Sequence, residues 1–409
     1  MITRDEVVAM RAQLGWSRRQ LADASGLTES KIWRIENKNV MSASEAVALD
    51  RVLRGASTPN LILLDEIQST GPRDPRNEGF YLESNSAVRT FKRCRRKWWL
   101  SWYRGLTAKV ESPTGALAIG QRIHRTLREW YVPEGIKRTD PRDALEFFIT
   151  VDWTAVSQWY EGQQQEVPLE LRRKFAAEAD LERAMIEGYV QWLEAEAEDA
   201  DLEVVAPETY LEVDITDQLI SAKRPTKVIG KLDVRVKRRR DRVRRFIDTK
   251  TVSNFTTSVR ILPLDEQMLT YHLLEFLSTK EGEERCDAAL YNMLRKVKRT
   301  ARAEPPFYKR VTVHHNQHEL DAFKERLLST IEDMHIASEA LDDGQSVNRW
   351  AYPNPTKDCA WDCPFFQICP MFDDGSRVEE MIEQYFQVSD PLSYYTQNDG
   401  IRPNDEETV

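Results

Sequence analysis

In "RRFIDTKTVSNF" (244–255), Asp248 and Lys250 stand two positions apart in a stretch that otherwise reads as a strand. On an extended chain both project from the same side, about 7 Å apart. A carboxylate beside an ammonium is either a surface ion pair or the start of a site for a cation and a phosphate. The preceding strand offers a second acid. In "KVIGKLDVRVK", Val228, Gly230, Leu232, Val234 and Val236 alternate with Ile229, Lys231, Asp233 and Arg235, and the polar turn "RRRDRV" follows. A hairpin through that turn sets Asp233 beside Asp248, with Lys250 next along. Two carboxylates within about 4–6 Å repel unless a cation lies between them. Hard oxygen donors of this kind suit Mg2+ or Mn2+.

A histidine belongs to the same set. In "GALAIGQRIHRTLREWY", Leu117, Gly120, His124, Leu127 and Tyr131 recur at helical spacing, which places His124 on the buried stripe. Gly120, one turn earlier, leaves room for close approach. The bland alternative is a histidine satisfied within the core.

These residues carry a resemblance. Gly120 to His124, then G-x-x-D (Gly230 to Asp233), I-D-x-K-T (Ile247 to Thr251) and Q-x-x-x-Y (Gln267 to Tyr271) resemble, in order, the motifs of the RecB-type branch of the PD-(D/E)xK nucleases. The resemblance implies an α/β restriction-endonuclease-like core, a mixed sheet flanked by helices. It implies that His124, Asp233, Asp248 and the Thr249 carbonyl bind Mg2+ or Mn2+. Lys250 would orient the attacking water and offset charge at the scissile phosphate; Gln267 and Tyr271 would hold the DNA backbone or the catalytic groups. Either Glu208 or Glu212 would support the site, and the sequence does not choose. The chemistry agrees, because a divalent cation lowers the pKa of bound water and clamps phosphate oxygens.

Five cysteines cluster unevenly. "CAWDCPFFQIC" gives Cys359, Cys363 and Cys369 a C-x3-C-x5-C spacing, and Cys94 in "FKRCRRKWW" is the candidate fourth ligand. Cys286 reads as a core thiol. Spacing alone admits zinc or an iron–sulfur cluster. One Cys before the nuclease motifs and three after them is similar to AddB-type nucleases and CRISPR-associated iron–sulfur exonucleases, which implies a [4Fe–4S] cluster in a helical clamp.

Residues 1–56 carry a second resemblance. S-x-x-x-L-A-x-x-x-G-L-T-x-x-x-I-x-x-I-E, from Ser17 to Glu36, resembles the repressor/Cro-type helix-turn-helix, with turns expected at Gly15 and Gly26. It implies a small all-α DNA-binding domain in which Leu21, Ala22, Leu27, Ile32 and Ile35 pack the core and Thr28, Glu29, Ser30, Lys31 and Arg34 face the major groove.

The expected organisation is this domain, a linker at 57–80, the nuclease domain at 81–372 and an acidic tail at 373–409. Within the nuclease domain, helix is expected from Ser86 and across 115–200, then strands at 204–215, 226–238 and 243–252 and a helix at 264–279. Strands at 287–296 and 308–314 and a helix at 316–342 complete it. Net charge is −9, yet segment 231–245 holds nine Lys/Arg against two Asp, and "RTFKRCRRKWWLSWYR" (89–104) holds seven with three Trp and no acid. Such runs are either solvated faces or a channel in which aromatics stack on DNA bases. No run of 18 apolar residues spans a membrane, the start lacks a secretory signal, and the chain reads as cytoplasmic. Without G-x-x-x-x-G-K-[ST], it would work on single-stranded DNA or duplex ends, alone or beside a separate helicase or recombination protein. The leading expectation is a metal-dependent DNA exonuclease; the alternatives are an endonuclease or nickase, and a sequence-specific regulator with a non-catalytic nuclease-like clamp.

Overall fold

The structure, a computed structural model, describes residues 2–53 with breaks at 14–15, 26, 39, 43–44, 47 and 50–51, then 80–109, 112–220, 224–280 and 285–396. Two compact units divide the chain: 1–69, 340–347 and 355–386 in one, and 70–339, 348–354 and 387–409 in the other. The turn glycines 15 and 26, nearly all of the 57–80 linker and the tail beyond 396 lie outside the described residues.

In the first unit, α1 (Arg4–Gln13), α2 (Arg18–Ser25) and α3 (Glu29–Lys38) enclose Val7, Leu21, Ala22, Ile32 and Ile35, with Leu27 packed against them. Buried Glu36 takes Arg11 and Arg18, which pin α3 to the two helices before it and hold its carboxyl down against the cost of burial.

The second unit is built on a six-stranded mixed sheet of β1 (Tyr81–Ser84), β2 (Leu202–Asp214), β3 (Thr226–Arg238), β4 (Arg244–Val252), β5 (Cys286–Arg295) and β6 (Tyr308–Val313). The path runs β1-β3-β4-β5-β6, with β2 also on β3. The β1/β3 and β4/β5 pairs are parallel and the others antiparallel. β1 is a strand where the sequence reading expected none. α4 (Asn85–Arg93) starts directly after it, capped by the Ser84 hydroxyl, which accepts the Ala87 N–H.

One property of β3 prepares the site. β2 occupies one edge along almost its whole length, so β1 and β4 share the other. On that edge the register with β1 ends at Ser84–Ile229 and that with β4 begins at Val234–Ile247. Residues 230–233 lie in the fork between them. Opposite the fork, Glu208 of β2 adopts φ +44°, a left-handed conformation that costs a non-glycine residue on the order of 1 kcal/mol.

Helices α5 (Ala116–Trp130), α6 (Pro141–Gly162) and α7 (Leu169–Glu196) cover one face, where Ile123, Leu127, Leu145, Phe175, Ile186 and Tyr189 pack on Val234, Val236, Ile247, Leu290 and Leu294. The buried stripe of α5 is Ile119, Ile123 and Leu127; Leu117, expected on it, is 76 % exposed. α8 (Glu266–Ser278) covers the other face and meets Phe246 through Tyr271 and His272. The expected strict alternation of β3 fails at the fork, since Gly230 abuts Leu274 and Tyr271 of the helix whose Glu275 pairs with Arg235. α9 (Gln317–Asp342) follows β6.

The C-terminal segment is not simply a tail. Leu392 and Tyr395 are buried against Leu82 of β1 and Ile229 of β3. Among the described residues, no helix is long and apolar enough to cross a membrane.

Candidate active site

The fork brings four expected residues together. β3 delivers Asp233, and β4 delivers Asp248 and Lys250 from adjoining positions of one face. α5 delivers His124, whose Nδ1 lies 3.2 Å from Asp233 Oδ2. The same oxygen accepts the Thr249 N–H at 2.8 Å, so β4's own backbone fixes the acid of β3. Lys250 Nζ lies 2.8 Å from Asp248 Oδ2. That contact is off the hydrogen-bonding direction, leaving Oδ2 buried without a hydrogen bond. Gln267 Nε2 reaches Asp248 Oδ1 at 3.3 Å and the Tyr271 hydroxyl at 3.0 Å. Asp265 places Gln267 by capping α8, accepting the N–H groups of Gln267 and Met268. Gly120 contributes less than expected, because a methyl there meets only Thr251 Oγ1 at an ordinary 3.8 Å.

The two acids are electrostatically unlike. Burial raises Asp248, and with Asp233 opposing the relief from Lys250 its carboxyl is pushed up to about 6. Burial acts on Asp233 too, but His124, Lys250 and the Thr249 N–H outweigh it and hold its carboxyl below the usual range. Burial pulls His124 down, whereas the Asp233 charge and hydrogen bond raise it on balance. Lys250 is likewise raised by both acids against the pull of burial.

Of the two acids left open, Glu208 is the one that lies beside the fork. Glu208 Oε2 lies 3.1 Å from Lys231 Nζ and 3.4 Å from Arg128, next to the fork. Glu212 pairs with Lys227 and Tyr210 instead. Two residues that local patterning does not reveal also stand here. Lys231, on the same side of the alternation as Asp233, is 3 % exposed. Its ammonium lies 4.8 Å from the Tyr394 ring and donates to the Tyr394 carbonyl at 3.4 Å.

Among the described residues, no group of three His, Cys, Asp or Glu side chains is spaced to hold a metal ion. His124 is turned to Asp233, and Lys250 to Asp248. The donors nevertheless fit a hard divalent cation in kind: an imidazole and two carboxylates, one of them fully buried. Nucleases of the PD-(D/E)XK class typically use such ions, Mg2+ or Mn2+ among them.

Of the cysteines, Cys94 lies in the second unit and Cys359, Cys363 and Cys369 in the first. Cys94 Sγ accepts backbone N–H groups from Lys97 (3.4 Å) and Asn354 (3.5 Å), and Cys359 Sγ accepts that of Thr356 at 3.3 Å. Cys286 differs: burial pushes its thiol up to about 12.

Both basic runs are read differently in three dimensions. Trp98 and Trp99 are 2 % and 5 % exposed, so their rings are core and unavailable for stacking on bases. In segment 231–245, Arg235, Arg238, Arg239, Arg242 and Arg245 pair with Glu275, Asp241, Glu134, Glu203 and Asp287. That run is largely neutralised. In the first unit Thr28, Glu29, Ser30 and Lys31 are exposed. Arg34 is turned onto Glu45 at 2.7 and 2.8 Å, an internal pairing that competes with any contact to DNA.

No match was found among curated proteins. Among solved structures, the chain is similar to a protein from Eubacterium rectale provisionally described as an exonuclease. That similarity is at 11 % identity, covers 66 % of this chain and 84 % of the other, and has a TM-score of 0.36, too loose to carry an argument. A family model for the PD-(D/E)XK nuclease superfamily matches residues 83–370, well over half of the chain. With that match running through His124, the fork acid and the D-x-K pair, the chain belongs to the PD-(D/E)XK nuclease superfamily.

Proposed function

We propose that the chain is a divalent-metal-dependent deoxyribonuclease of exonuclease type. The observation that carries this reading is the fork, where His124, Asp233, Asp248 and Lys250 converge and one acid oxygen is left buried without a hydrogen bond.

His124, Asp233, Asp248 and the Thr249 carbonyl would hold Mg2+ or Mn2+, which when bound supplies an activated water and charge relief at phosphate. The chain's own groups do the rest. The Thr249 N–H and His124 keep Asp233 ionised and fixed. Gln267 anchors Asp248 by Oδ1, directing Oδ2 to the interior of the site. Lys250 carries a positive charge at working pH and offsets the negative charge gathering on the scissile phosphate. Glu208 and Lys231 brace the fork from behind.

The same reading gives Cys94, Cys359, Cys363 and Cys369 a [4Fe–4S] cluster, supported by the backbone donors at Cys94 and Cys359. It also gives the N-terminal helices a DNA-docking role through Thr28, Glu29, Ser30 and Lys31, supported by their exposure over a closed core.

Digestion of linear and covalently closed circular DNA in Mg2+ or Mn2+ tests the reading. Linear DNA should be degraded and the circle spared, and Asp248→Ala and Lys250→Ala should abolish activity. Cleavage that survives both substitutions would place the chemistry elsewhere; cleavage of the circle would make the enzyme an endonuclease.

A further inference from the structure

Ser86, Arg89, Thr90, Lys92, Arg93 and Lys97 line a groove of about 470 Å3, closed on one side by Glu266. Four of these residues are basic and one is acidic. Arg89, Lys92 and Arg93 are exposed, and Lys92 pairs with Glu266. The groove adjoins the fork on two counts. Glu266 immediately precedes Gln267, whose amide holds Asp248. The Arg89 charge also acts on Tyr291, the residue registered against Asp248 across β4 and β5.

The C-terminal segment continues this surface. The Tyr395 hydroxyl lies beside Ser84 and Ser86, the second of which lines the groove. Leu392 is fully buried and Tyr395 nearly so. Between these anchors Tyr394 remains 55 % exposed; Lys231, two residues from Asp233, lies over one face of its ring and the Tyr395 ring meets it edge to face. The crowding of its hydroxyl, then the charges of Asp233 and Glu208, keep that phenol protonated. An aromatic ring fixed on both sides yet left open gains little from burial, and every nucleobase offers it a face to stack on.

We propose that one unpaired DNA strand crosses this surface. Its phosphates follow Arg89, Lys92, Arg93 and Lys97, and one base stacks on Tyr394, which sets an adjoining phosphodiester at the fork. A base on Tyr394 has left its duplex stack, so the substrate at the site is single-stranded. This deepens the deoxyribonuclease reading and rests on it for the identity of the ligand.

The test uses the full chain carrying Asp248→Ala, in chelator, with fluorescence anisotropy of an end-labelled oligothymidine of about 15 nucleotides and a duplex of equal length. The single strand should bind more tightly than the duplex. Arg89→Ala with Arg93→Ala should weaken binding about tenfold or more at low salt and reduce the salt slope by about 1.4, about 0.7 per phosphate contact. Tyr394→Ala should weaken it roughly five- to a hundredfold, while Tyr394→Phe, which keeps the ring and shares the same anchors, stays near the parent. Unchanged affinity and slope in the double variant, unchanged affinity in Tyr394→Ala, or preference for the duplex each overturns the proposal. Cleavage plays no part in this readout. Binding of this kind by a chain that never digests DNA sinks the nuclease reading alone, and digestion with these variants at full kcat/KM sinks the strand path alone.

Discussion

Asp248→Asn should make the metal-free protein more stable, although it removes a residue proposed for catalysis. Asp248 is fully buried, and burial with Asp233 nearby pushes its carboxyl up to about 6 from an ordinary value of 3.8. A displacement of about two units at about 1.4 kcal/mol each means that ionising this group in the fold costs about 3 kcal/mol. The folded acid keeps its proton to about pH 6 while the unfolded one releases it near pH 4. The folded chain therefore holds the extra proton across that window, and stability falls as pH rises through it. Above pH 7 the whole cost applies. Urea unfolding in chelator should show Asp248→Asn about 2–3 kcal/mol more stable than wild type at pH 8, about 1 kcal/mol at pH 4.5, and nearly equal to it near pH 3. Mn2+ at about a hundred times its Kd should then stabilise wild type by about 2.7 kcal/mol and leave the variant unmoved. If Asp248→Asn is the less stable protein at pH 8 without metal, the Lys250 ion pair outweighs the cost of burying the Asp248 charge, and that charge needs no cation.

Gly230→Ala would place a methyl 2.6 Å from Leu274 Cδ1 and 3.1 Å from the Tyr271 ring; we expect a loss of about 1–3 kcal/mol in urea unfolding, with kcat lowered because Tyr271 carries Gln267. Glu83, 4 % exposed, is pushed by burial up to about 8, while His335 at 3.8 Å is lowered to about 4, so the pair is uncharged at pH 7. Glu83 costs stability as pH rises from about 4.5 to 8, and His335 restores it from about 4 to 6.5, so the two offset one another up to about pH 6.5 and net stability should fall from there to about 8. Glu83→Gln should remove that fall, gaining on the order of 5 kcal/mol at pH 9 in a pH series of unfolding curves. Cys94→Ser should strip iron and sulfide from anaerobically purified protein; closure of so long a loop stabilises by about 5 kcal/mol, so thermal unfolding should move down as well, and a colourless wild-type protein would refute the cluster.

The parts of the site that the sequence disclosed are those set by local geometry. Asp248 and Lys250 share a strand face because the pleat repeats every two residues, and Gln267 meets Tyr271 because a helix returns after four. The hairpin brings Asp233 to β4 through a turn of few residues. What stayed hidden depends on partners distant in the chain. Tyr81–Ser84 is too short to announce a strand and becomes one only by pairing with Thr226–Ile229. The arginines of 231–245 looked like a surface for a polyanion until Glu134, Glu203, Glu275 and Asp287 arrived from four other segments. Trp98 and Trp99 read as exposed stacking rings because basic neighbours surround them, yet the segment buries both. Tyr394 gives no periodic signal at all; its place is decided by Leu392 and Tyr395 finding a slot made by β1 and β3.

That slot has a consequence for a chain still on the ribosome. Asp248 and Lys250 emerge well before Leu392 and Tyr395, a delay on the order of ten seconds at ordinary elongation rates. During it, Leu82 and Ile229 face solvent on their outer side and the ring beside Lys231 has yet to be made. The segment at 392–395 thus completes this surface only after the residues of the fork have been made.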